Sequence, residues 1–219
     1  MFLDRRGREV FGPYDDAYPF SEGLARIGEG PRDRRKYGVI DTHGRVQIPP
    51  KYDWIGPFSE GWAFAYSGEK SGYINRKGEW VLTLVAEVGL PFQEGLAGVR
   101  AKGDPGKWGF VNRSGEWVVK AKYDAVHGFS EGLARVAVDT KGPGRGRRFR
   151  YVDHTGKEVI PVRFVGAWDF ACGMAPASTR LRNWGFIDHE GVFRIKPQYL
   201  GAGRYEDGVA KVYEMNGDQ

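Results

Sequence analysis

Glycine recurs along this chain at a spacing that few folds can accommodate. Six tetrapeptides begin with Asp or Asn and end with Gly: Asp4–Gly7, Asp41–Gly44, Asn75–Gly78, Asn112–Gly115, Asp153–Gly156 and Asp188–Gly191. Each is followed by a second glycine (Gly23, Gly61, Gly95, Gly132, Gly173, Gly208), 16 residues on in the first copy and 17 in the other five. The turn glycines themselves lie 37, 34, 37, 41 and 35 residues apart, so only the link between copies varies in length. A rigid inner spacing with a variable link is the signature of a repeat array. The stretch Lys107–Val136 states the unit most fully.

Each copy carries three apolar segments. The first ends in a β-branched or aromatic pair such as Val39-Ile40, Tyr73-Ile74 or Phe110-Val111, residue types that suit strands. Asp or Asn then bonds the backbone that follows it, and glycine supplies a positive φ without steric cost, which predicts a type I turn closed by a glycine bulge. The second segment (Arg45–Ile48, Glu116–Val119, Lys157–Ile160) meets proline or lysine at its end. Two aromatics follow, the first with an acidic neighbour in Tyr14-Asp15, Tyr52-Asp53 and Tyr123-Asp124, and the stretch between them can form a short fourth strand. The third segment opens with Ser-Glu-Gly and continues into an alanine present in all six copies: Ala25, Ala63, Ala97, Ala134, Ala175 and Ala210. A position restricted to a methyl group implies a close-packed neighbour.

These segments predict an all-β chain of six repeats of about 37 residues, each of three to four short antiparallel strands. The array reads as one repeat domain over 1–219, with units near 1–27, 28–66, 67–101, 102–138, 139–178 and 179–219. The chain opens on a first segment and closes on a third, so a propeller-like closed ring would let the last strand complete a sheet with the first. An open β-solenoid of hairpin units is the alternative. Large apolar side chains, at about 1.5–3 kcal/mol each when fully buried, are hidden only when copies stack. Substitution of the repeated turn glycine Gly115 by Val is therefore expected to cost more than Gly142→Val in a link.

With Tyr37-Gly38, Lys107-Trp108-Gly109 and Trp184-Gly185 before the first segment, and Phe-Ser-Glu-Gly-Leu-Ala after the second, the chain resembles the WG-repeat proteins. The resemblance runs from Phe2 to about Val212, with Ser71-Gly72 and Phe149-Arg150 as departures. It implies a β-repeat scaffold of a class common in bacteria, with an interaction role and no shared catalytic residues.

Residues that could carry chemistry are sparse. Cys172 is the single cysteine, stands where other copies have an acidic residue, and has no base nearby in DFACGMAPA. His43, His154 and His189 fall in the glycine turns of different copies and read as turn residues, not as metal ligands. No phosphate loop or nucleophile elbow is present. An apolar run long enough to span a membrane is lacking, and the start resembles no signal peptide, so the cytoplasm is the expected compartment.

Charge is more informative. The five links between third and first segments hold 14 basic and 5 acidic residues, although the whole chain carries only +5. They are expected on the edge opposite the D/N-x-x-G turns. Arg32, Arg34, Arg35, Lys36, Arg145, Arg147, Arg148, Arg150, Arg180 and Arg182 thus form a candidate edge for a polyanion or an acidic protein partner. Nucleic acid is a narrower version of that idea, a purely structural interaction module is its rival, and an enzyme in a central channel has no residue set behind it. No cofactor or metal is expected.

Overall fold

The structure, a computed structural model, describes residues 2–3, 5–103, 106–140 and 146–214. The described residues are built of strands and turns without a helix, and no helix is long and apolar enough to cross a membrane. Asp4, Gly142 and Arg145 lie outside the described residues.

The chain divides into two compact units, one formed by 1–102 with 112–116 and the other by 103–111 with 117–219. The first unit opens with the antiparallel pair β1 (Phe2–Leu3) and β2 (Glu9–Phe11). Its first four-stranded sheet runs in chain order through β3 (Asp16–Ala17), β4 (Leu24–Glu29), β5 (Lys36–Asp41) and β6 (Val46–Tyr52). The second repeats the plan in β7 (Trp54–Ile55), β8 (Trp62–Ser67), β9 (Lys70–Asn75) and β10 (Trp80–Leu84). The pair β11 (Ala86–Gly89) and β12 (Leu96–Ala101) follows.

The second unit holds β13 (Trp108–Asn112) up to Val111, paired with β14 (Trp117–Tyr123). Next comes a four-stranded sheet of β15 (Ala125–Ser130), β16 (Leu133–Thr140), β17 (Gly146–Val152) and β18 (Glu158–Phe164). Another contains β19 (Gly166–Ala167), β20 (Ala175–Arg180), β21 (Asn183–Ile187) and β22 (Phe193–Tyr199). The pair β23 (Gly201–Glu206) and β24 (Val209–Tyr213) ends the chain.

The stretch before the second aromatic is therefore a strand, and the sheets β3–β6, β7–β10, β15–β18 and β19–β22 carry four strands each. Each four-stranded sheet takes its outer strand and the Leu-Ala strand from one sequence copy, and its remaining two strands from the next.

The turns follow their residues. Asp41 Oδ1 accepts the backbone N–H groups of His43 at 2.8 Å and Arg45 at 3.0 Å, and Gly44 has a φ of 76°. Asn75, Asn112, Asp153 and Asp188 hold their turns through the same acceptor atom. The glycine of the Trp-Gly pair has a different reason. A Cβ on Gly38 would sit 2.5 Å from the Ile48 carbonyl oxygen, on Gly109 2.2 Å from that of Val119, and on Gly185 2.4 Å from that of Ile195. The neighbouring strand shifts register at each of these places, bringing its backbone against the glycine. Copy five has Arg150 here, paired through Nη1 with Glu158, its Nε buried without a partner.

Packing between successive copies forms the core. In the first unit Leu24, Val39, Ile48, Tyr52, Ile55, Phe58, Ala63, Ala65 and Ile74 make one buried cluster. Ala25, Ala63, Ala97, Ala134 and Ala175 are fully buried, which accounts for the methyl-only position, whereas Ala210 on β24 is half-buried.

Candidate functional site

The Ser-Glu-Gly turns come first, because they remove three carboxylates, those of Glu22, Glu60 and Glu131, from consideration as chemistry. The Ser21 hydroxyl donates to the Phe58 carbonyl at 2.6 Å, Ser59 to Phe92 at 2.6 Å, and Ser130 to Phe170 at 2.8 Å. Glu22 accepts the N–H groups of Glu60 and Gly61 at 2.6 and 3.0 Å, Glu60 accepts Gly95 N–H at 3.2 Å, and Glu131 accepts Gly173 N–H at 3.0 Å. The first, second and fourth turns are thus each tied to the turn one copy on. Arginines from the glycine turns add a further clamp: Arg76 Nη2 donates to the Glu22 carbonyl at 2.9 Å and Arg113 Nη2 to that of Glu60 at 2.7 Å. The Glu and Gly of each turn both have positive φ, as a two-residue type I′ hairpin demands. Cys172 stands at this Glu position, exposed, with a φ of 54°.

The histidines of the glycine turns belong to the same stacking. His154 lies flat on Phe129, with ring centroids 4.4 Å apart, and His189 lies flat on Phe170 at 4.3 Å.

The arginine-rich links are partly neutralised by acidic residues of their own or the preceding copy. Arg35 Nη1 lies 2.6 Å from Asp16 Oδ2, and Lys36 pairs with Asp53. Arg34 lies 3.5 Å from Asp33, and Arg32 is exposed. In the second unit Arg147 Nε meets Asp139 at 3.0 Å and Arg150 meets Glu158. Arg148 Nη1 donates to the Arg147 carbonyl at 3.2 Å, while Arg180 and Arg182 are exposed on the β20–β21 link.

The acidic neighbour of the first aromatic does the neutralising at two equivalent places, since Lys107 pairs with Asp124 as Lys36 does with Asp53. Those aspartates also cap the links, Asp53 accepting Gly68 N–H at 2.7 Å and Asp124 accepting Asp139 N–H at 2.8 Å. The Lys36 ammonium and then the Gly68 N–H hold the Asp53 carboxyl below its ordinary value.

The structure brings Arg32, Arg34, Arg35 and Lys36 together with Tyr37, Trp54 and Tyr66 around a broad surface cavity of about 590 Å³ in the first unit. It places Arg147, Arg148, Arg150, Arg180 and Arg182 on two hairpins of the second unit.

Beneath that edge lies a residue outside the link pattern, Arg26 on β4. Its guanidinium carbon is 3.5 Å from the Tyr18 ring centroid, 3.9 Å from that of Trp54 and 5.3 Å from that of Tyr37. Nη1 donates to the Ile55 carbonyl, and Nε is buried without a hydrogen-bond partner. Burial lowers the Arg26 pKa. Asp16, the acidic group nearby, is engaged by Arg35 and by the Tyr37 hydroxyl at 3.0 Å. Burial, followed by that bond to Asp16, pushes the Tyr37 pKa up to about 12.

Arg26 also lines a mainly apolar cavity of about 290 Å³ with Tyr18, Phe20, Leu24, Val39, Pro57 and Phe58. The sequence does hold a signal for it: the residue after Leu-Ala or its equivalent is Arg26, Phe64, Gly98, Arg135, Pro176 or Lys211, so an arginine here is not part of the repeat.

A scan against protein families matches the WG containing repeat six times, at residues 1–30, 37–70, 72–104, 108–141, 149–179 and 184–217. A search of curated proteins finds no match. Among solved structures, one described as the crystal structure of the eukaryotic initiation factor is similar with a TM-score of 0.55 at 11% identity, over 86% of this chain and 55% of that one. At that identity the likeness concerns fold alone. The crystal structure of the tricorn protease gives a TM-score of 0.32 at 11% identity, over 85% of this chain and 21% of that one, and no argument rests on it.

Proposed function

The chain belongs to the WG containing repeat family, and on that premise we propose that it is a non-catalytic binding module that engages an acidic protein partner in the cytoplasm. The observation behind this reading is the cluster of Arg32, Arg34, Arg35 and Lys36 beside the exposed Tyr66 on one hairpin edge. Asp16 and Asp53 hold Arg35 and Lys36 in place, leaving the exposed Arg32 and Arg34 as the groups that meet a carboxylate. Preorganised cations beside aromatic surface suit an acidic peptide segment, since arginine offers a forked donor and the ring offers apolar area. The arginines of the second unit extend the same chemistry along the links.

Nucleic acid is the weaker form of the proposal, because Tyr18, Tyr37 and Trp54 are engaged with Arg26 and are not free to stack on bases. The six copies are proposed to form a propeller-like ring. Supporting this, the described strands form successive four-stranded antiparallel sheets, the sheet plan of propeller blades.

Retention on a heparin column and binding of a fluorescent poly-glutamate peptide test the edge, comparing the native chain with Arg32→Glu/Arg34→Glu. Earlier elution and weaker peptide binding by the variant are expected. Identical behaviour of the two proteins in both assays would end the proposal.

A further inference from the structure

Arg26 has an internal counterpart that shows what its site lacks. Arg135 follows Leu133-Ala134 as Arg26 follows Leu24-Ala25. Arg135 Nη1 donates to the Ala167 carbonyl as Arg26 Nη1 donates to that of Ile55, and both carbonyls lie three residues before the aromatic, Phe170 or Phe58. At Arg135, Nε donates to Asp169 Oδ1 at 3.2 Å. The residue in the place of Asp169 beside Arg26 is Pro57. The Nε atom that finds a carboxylate in one copy is the atom left buried and unbonded in the other.

Two independent facts converge here. Among the described residues no carboxylate pairs with Arg26, and Asp16, the acidic group that comes nearest in role, is already bound by Arg35 and Tyr37. Burying a guanidinium short of one hydrogen bond is costly unless an anion completes it. The space beside the charge is a mainly apolar cavity of about 290 Å³ walled by Tyr18, Phe20, Leu24, Val39, Pro57 and Phe58. A mainly apolar cavity of that size with a few polar groups, here Arg26 and Ser21, is the ordinary form of a small-ligand site.

We propose that this cavity binds a small monocarboxylate with an apolar body, its carboxylate drawn to the Arg26 guanidinium in the cavity wall. The charge selects a carboxylate over its neutral amide, and the rings and aliphatic side chains accept a body the size of one aromatic ring. This site is separate from the link edge and does not depend on an acidic protein binding there.

Calorimetry and ligand-detected NMR on the full chain, with benzoate and benzamide as probes, test it. Benzoate is expected to bind saturably and about tenfold or more tightly than benzamide, about 1.4 kcal/mol of discrimination. Two variants locate the effect. Pro57→Asp supplies the missing carboxylate from within the chain, and is expected to abolish benzoate binding while raising the thermal midpoint. Arg26→Met keeps the apolar wall and is expected to erase the preference for benzoate over benzamide. A folded Pro57→Asp protein that still binds benzoate at native strength would overturn the proposal. So would equal affinity of the native chain for the two probes, or no saturable benzoate binding at millimolar concentration.

Discussion

The Glu22 carboxylate accepts the backbone N–H of Glu60, 38 residues further along the chain, at 2.6 Å. Glu60 in turn accepts Gly95 N–H, while its own carbonyl is held by Arg113. Removing the Glu60 carboxylate leaves an amide without its acceptor in the next turn and takes away one member of a charged hydrogen bond. Glu60→Ala should cost about 1–2 kcal/mol. The urea midpoint would report this at unchanged slope. Glu69→Ala, on an exposed link, should stay within about 0.5 kcal/mol of the native chain.

Copy five offers the reverse change. Cys172 has the left-handed backbone of the ladder position but no carboxylate. Cys172→Glu should restore an acceptor for the Gly208 turn and raise stability by up to about 1 kcal/mol, whereas Cys172→Gln should gain less. A thermal melt of the two variants beside the native chain checks the order.

The Trp-Gly glycine gives a sharper contrast. At Gly109 an added methyl would be 2.2 Å from the Val119 carbonyl oxygen, while at Gly203 its nearest neighbour would be 3.6 Å away, in ordinary contact. Gly109→Ala should destabilise by about 3 kcal/mol and Gly203→Ala should be close to neutral, both read by chemical denaturation.

The turns, the segments and the methyl-only alanine were legible in the sequence because each rests on local backbone chemistry that recurs six times. The outer strands were less so, since β7 and β19 have two residues each and carry no periodicity. That Lys36 and Lys107 are committed to Asp53 and Asp124 could not be read from charge counts, which treat every cation as free. Arg26 escaped for a related reason. The search for departures from the repeat went to the links, whereas this departure sits within a core strand, and its meaning depends on Pro57, distant in sequence.

A pH effect follows from His127 in the second unit. Burial, and then the charge of Arg135, depress its pKa below the ordinary 6.5, with Asp169 opposing and Arg147 adding to the depression. Because the folded-state pKa is the lower one, the native state resists protonation there. Its contribution to stability is complete above the unfolded value and is lost as pH falls from that value through the folded one. Denaturation midpoints taken between about pH 7.5 and 5 should decline for the native chain, and less steeply for His127→Phe. Parallel curves for the two would contradict this origin.

The bonds between Ser-Glu-Gly turns have a direction. Serine hydroxyls donate forward in the chain to Phe58, Phe92 and Phe170, and glutamates receive forward amides at Gly61, Gly95 and Gly173. Every such copy thus offers one face to its successor and the complementary face to its predecessor, as a brick offers stud and socket. A gene duplication that inserts one whole copy between two others would find both of its mating faces already present. Arrays of this kind can therefore change length by whole units without inventing a new contact, and keep their links free to diverge.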